Sequence, residues 1–199
     1  MISGRGLLKR WERMAGPGWN WIEVVACVIP TAIFAILVPL NAIDRGYHWS
    51  ALQHIVAAIL VIEVCGGAIV FNTPQAKLWI HREGRGFWHF LVFNALHVGP
   101  FVVAYLYYPK MNWSFALSVY GVMIVTTIVI LKVPLRYKGI AASVVVVSGC
   151  RIFEIIEAPP PGFVWFEPVY YMKLLLLHTV PPLSLKPQAG DAAKLSISQ

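Results

Sequence analysis

Apolar runs of near-spanning length, about 20 residues each, are separated along this chain by short breaks rich in proline, asparagine and basic residues. The pattern predicts helices over about 21–40, 51–71, 88–107, 114–132, 139–157 and 163–181. The breaks are chemically suited to ending them. Asn41 to Ser50 is polar, Asn72-Thr73-Pro74 is a run of turn formers, Pro109 with Asn112 marks a third break and Pro134 a fourth. Pro159-Pro160-Pro161-Gly162 forbids helix before the last run. The expected fold class is all-α: a polytopic integral membrane protein built as a six-transmembrane-helix bundle. Residues 1–185 are expected to form a single transmembrane domain and 186–199 a flexible cytoplasmic tail. The run WIEVVACVIPTAIFAILVPL follows a basic N-terminus, but it is too long for a signal-peptide core and no small-x-small cleavage site follows it. It is expected to remain as the first span.

Composition supports the membrane reading. Apolar residues make up 58% of the chain and charged residues 13%, with mean hydropathy +0.68. A soluble chain has about 45–50% and about 25% respectively. The net charge of +7 would suit a nucleic-acid partner in a soluble protein, but here the charge is spread over the breaks. With the N-terminus cytoplasmic, that side receives Arg5, Lys9, Arg10, Arg13, Lys77, Arg82, Arg85, Lys132, Arg136, Lys138, Lys186 and Lys194. The opposite side receives Arg45 and Lys110, while Arg151 and Lys173 fall within spans. This asymmetry is the positive-inside pattern, so both termini are expected to be cytoplasmic, in a bacterial-type inner membrane. Trp19, Trp21, Trp49, Trp79, Trp88, Trp113 and Trp165 lie near the expected helix ends, where amphipathic rings occupy the headgroup level. The expected surroundings are therefore a lipid bilayer and no nucleic acid.

The ionisable residues inside the spans carry the candidate chemistry. An unpaired charge near the bilayer centre costs at least about 2.5–3.5 kcal/mol, so such residues should face protein or water. Arg151, Glu154 and Glu157 recur at i, i+3 spacing on the fifth expected helix, and Glu167, Tyr170 and Lys173 repeat that spacing on the sixth. If the two helices form an antiparallel hairpin, the stripes can face each other. Glu63 and His97 lie near the middle of the second and third helices, beside Gly66-Gly67 and Gly99-Pro100, which permit close approach and loosen the backbone. One polar cluster is expected: Glu63, His97, Arg151, Glu154, Glu167 and Lys173. The bland alternative is a set of structural ion pairs and snorkelling side chains.

His81, His89 and His178 fall near the cytoplasmic side and are the candidates for a metal or a bis-histidine haem site. Clustered histidine boxes, HExxH and paired Cys-His spacings are all missing from the sequence. Cys27, Cys65 and Cys150 are isolated and expected as packing residues. Lys77, His81, Arg82 and Arg85 beside Gly84 and Gly86 suit anionic lipid better than a phosphate loop. No cofactor follows from the residues. The leading functional expectation is binding or translocation of a small solute or proton through the polar cluster. A membrane-embedded redox or metal enzyme using the three histidines, and an accessory subunit of a larger membrane complex, are the alternatives.

Overall fold

The computed structural model describes residues 4–182, and of residues 4–5 and 149–156 the backbone alone. The helices are α1 (Gly4–Ala15), α2 (Trp21–Asp44), α3 (Ala51–Phe71), α4 (Pro74–Ile80), α5 (Phe87–Leu106), α6 (Trp113–Lys132), α7 (Leu135–Ile156) and α8 (166–178). There is no strand among the described residues. The starts follow from side-chain caps. Asn20 with Glu23 and Ser50 with Gln53 form reciprocal capping boxes, Thr73 caps α4 ahead of Pro74, and Asn112 caps α6.

Among the described residues, four helices, α2, α3, α5 and α6, are long and apolar enough to cross a membrane. In α2 the buried residues are only Val24, Cys27, Ala35 and Ala42. Ile22, Ile29, Ile33, Ile36 and Leu37 are exposed. A helix apolar on all sides yet largely exposed needs an apolar solvent, so the chain is an integral membrane protein.

The connections gather at two ends. At one, Trp49 packs on Tyr107 and Phe163 with ring centroids 5.0 and 5.6 Å apart, Tyr108 donates to the Ala158 carbonyl, and Asn112 donates to Glu157. The α2–α3, α5–α6 and α7–α8 connections therefore meet there. At the other, Gln75 donates to Glu23, Lys138 donates to the Leu131 carbonyl, and His178 lies against Phe71 and Phe90. The second end carries the basic residues of α1, α4, the connection after α4, the end of α6 and the start of α7.

Three elements depart from the expected pattern. The basic N-terminus is helical: α1 presents Leu8 and Trp11 to a cluster containing Trp19, Cys27, Ala76 and Phe90. The third expected span is interrupted, with helix over Phe87–Ala95 and Gly99–Leu106. The break follows from Pro100, which lacks an N–H and whose ring crowds the carbonyl of Leu96. The sixth apolar run forms α8, 13 residues long or about 20 Å, short of a hydrocarbon core of about 30 Å. Its Phe166, Tyr170, Tyr171, Leu174 and Leu175 are fully buried. The hydrophobicity of α8 thus belongs to the interior of the bundle, where it packs against α3, α6 and α7.

Candidate functional site

Glu63 sits on α3 within a π-helical turn, Ile62–Gly66, and Lys173 near the start of another, Met172–His178. Such widened turns are uncommon and recur at functional sites. Lys173 Nζ donates to Glu63 Oε1 and, at 2.9 Å, to the Glu63 carbonyl. Gly67 makes the approach possible, because a Cβ there would lie 2.5 Å from Lys173 Cε. The lysine is 3% exposed, so its charge is neutralised inside the bundle and not by snorkelling.

His97 lies in the interrupted part of α5. Its Nε2 is 3.1 Å from the same Glu63 Oε1, and its Nδ1 is 2.7 Å from the Phe93 carbonyl. A carbonyl only accepts, so Nδ1 must carry a proton. A neutral imidazole with its proton on Nδ1 would turn a lone pair toward the carboxylate. The close Nε2–Oε1 contact therefore requires a second proton, either on the imidazole or on the carboxyl. The break in α5 holds this geometry. Tyr120 donates to the freed Ala95 carbonyl at 2.8 Å and Tyr170 to that of His97 at 2.6 Å.

Of the six residues expected to cluster, the structure brings Glu63, His97 and Lys173 into contact. Glu167 is 2% exposed at the second residue of α8, about 9 Å along the axis from Lys173, and takes no part in the Glu63 contacts. The side chains of Arg151 and Glu154 lie outside the described residues, as does the tail at 186–199.

The candidate metal histidines have other partners. His178 stacks on Phe93 at 3.9 Å between centroids, His81 stacks on Phe90 at 4.9 Å, and His89 Nδ1 lies 2.7 Å from Arg85. The rings of His89 and His178 are 6.4 Å apart and tilted by 46°. Among the described residues, no three His, Cys, Asp or Glu side chains converge as a metal ion needs. At His81, outside the spans, burial pulls the pKa down to about 4, with Lys77 and Lys138 adding to the effect.

Two features had no sequence signal strong enough to single them out. Asn94, fully buried on α5, donates to Thr127 at 2.8 Å and to Thr179 at 3.1 Å, tying α5 to α6 and to the end of α8. Asparagine and threonine in an apolar run read as tolerated polar residues until their partners are known. A cleft of about 500 Å³ also opens between α1, α2 and α3, with Glu63 in its wall. It depends on α1, which the apolar pattern does not reveal.

No protein-family model matches the chain, and no curated protein or solved structure resembles it significantly.

Proposed function

We propose that the protein binds or translocates a proton, or a small solute together with one, through the Glu63, His97 and Lys173 site. The bundle crosses a bacterial-type inner membrane six times, with both termini cytoplasmic. The observation that carries this reading is the hydrogen-bond balance at His97. With Nδ1 committed to the Phe93 carbonyl, the 3.1 Å contact between Nε2 and Glu63 needs a proton that either group can hold. Lys173 acts as a fixed counter-charge that keeps the carboxylate form of Glu63 compatible with its depth. Tyr170, which donates to the His97 carbonyl, and Cys65, two residues along α3 from Glu63, are further titratable groups beside the site. Arg151, whose side chain lies outside the described residues, would serve as an anion anchor or counter-ion.

Six crossings accord with the grouping of alternate connections at opposite ends and with the basic residues concentrated at one of them. On this topology α8 runs inside the lipid-facing helices, so the charged residues it carries, Glu167 and Lys173, do not meet acyl chains.

Proton movement in vesicles tests the proposal. Purified protein is reconstituted around a trapped pH dye, and a potential of defined sign is imposed. Glu63→Gln keeps the shape of the side chain and removes the exchangeable carboxyl proton, so the flux is expected to drop at least about tenfold with equal helical content. A Glu63→Gln flux equal to that of the parent protein would overturn the assignment.

A further inference from the structure

The cleft between α1, α2 and α3 gives Glu63 a route to the bilayer that the proton site itself does not use. Its wall is almost wholly apolar, with Trp11 and Met14 from α1, Val28 and Ala32 from α2, and Ile62 and Phe71 from α3. Met14, Val28 and Ile62 are exposed on the outer surface, so the cleft opens sideways toward lipid. A volume of about 500 Å³ with few polar groups suits a small lipophilic molecule. A second cleft, about 690 Å³ between α2, α3 and α8, has no carboxylate or cation in its lining.

One polar group marks the first cleft as fit for a ligand head. Glu63 Oε1 takes both Lys173 and His97, whereas Oε2 has no hydrogen bond among the described residues. The Glu63 side chain is 39% exposed and lines the cleft, which leaves Oε2 as the oxygen available to it.

Charge selects among head groups. Lys173, with the proton shared by His97 and Glu63, leaves those three side chains one positive charge in excess, which disfavours an ammonium head. The open oxygen of Glu63 disfavours a carboxylate or phosphate. A hydroxyl avoids both conflicts and supplies the donor that Oε2 lacks. We propose that this cleft binds a long-chain neutral alcohol from the bilayer, its hydroxyl donating to Glu63 and its chain lying between α2 and α3 beneath α1. The proposal rests on the preceding reading for the contacts of Glu63 and the proton it shares with His97, but its test reads alcohol binding and requires no proton movement, so the two can fail separately.

The probe is a hexadecanol bearing a diazirine in its chain, photolysed with the purified full-length protein in lipid nanodiscs, with adducts located by peptide mass spectrometry. Adducts are expected on residues 11–15, 28–32 and 62–71. Unlabelled hexadecanol should compete at least about tenfold better than hexadecyl methyl ether, which keeps the chain and loses the donor. Ala32→Trp fills the cleft from an exposed position on α2 and should remove these adducts while the protein stays folded. Adducts spread evenly over the lipid-facing helices, equal competition by alcohol and ether, or unchanged labelling in Ala32→Trp would each overturn the proposal.

Discussion

Lys173 and Glu63 show how a charge is kept inside an apolar bundle. Removing one partner of a buried pair strands the other, at a cost of about 3–5 kcal/mol. Lys173→Met is therefore expected to lower thermal stability sharply, and the double variant Glu63→Gln with Lys173→Met to lose less than the sum of the two single changes. Thermal unfolding in detergent, read as a double-mutant cycle, checks this coupling. Gly67→Ala should reproduce the Lys173→Met phenotype, since its Cβ would occupy the space of Lys173 Cε. His81 gives a separate pH response. Its pKa is near 4 in the folded protein against 6.5 when free, so the unfolded chain binds the proton more readily between those values. Stability should fall as pH drops from about 6.5 to about 4 and be insensitive to His81 outside that window. His81→Phe should flatten this part of the unfolding profile. Among single residues, Glu63 and His97 were legible as a candidate pair because ionisable groups in apolar runs are conspicuous. The pairing of Lys173 with Glu63 was not, because hairpin register suggested a partner on the neighbouring helix, and only the burial of α8 beside α3 brings Lys173 to Glu63.

Helices differ in how openly their sequences declare themselves. α2, α3 and α6 are continuous apolar runs with capping residues at their starts, and they lie close to where the pattern puts them. α5 carries Gly99-Pro100, so its interruption could be anticipated in kind, although the use of the freed carbonyls by Tyr120 and Tyr170 could not. The same apolar composition describes a span facing lipid and a helix enclosed by protein, which is why the enclosure of α8 was hidden. α1 was missed because a short basic segment ahead of an apolar run reads as a signal-peptide start or a positive-inside flank whether or not it is helical. Its docking depends on Gly16, which adopts φ +91° and whose missing Cβ would lie 2.5 Å from Trp79 Cβ. Gly16→Ala meets both a strained backbone and a clash. Amide hydrogen exchange across residues 4–15 is expected to rise at least about tenfold in that variant, with exchange in α6 unchanged.

For the whole molecule, charge and connectivity both support the proposed topology. Lys77 and Lys110 lie at opposite ends of the bundle, the first in α4 and the second in the α5–α6 connection. After replacement of the native cysteines by alanine, Lys77→Cys should react with an impermeant maleimide only from the cytoplasmic side and Lys110→Cys only from the other. Reaction of both from one side would refute the proposed crossings.

The central claim is a proton shared between His97 and Glu63, and nitrogen-15 NMR of the His97 imidazole in lipid bilayers reads it directly. A shared proton predicts Nδ1 protonated and an Nε2 signal lying between the fully protonated and unprotonated imidazole limits, moving to the unprotonated limit in Glu63→Gln, where the carboxyl partner is gone. A neutral ring with its proton fixed on Nε2, unchanged by Glu63→Gln, would contradict it.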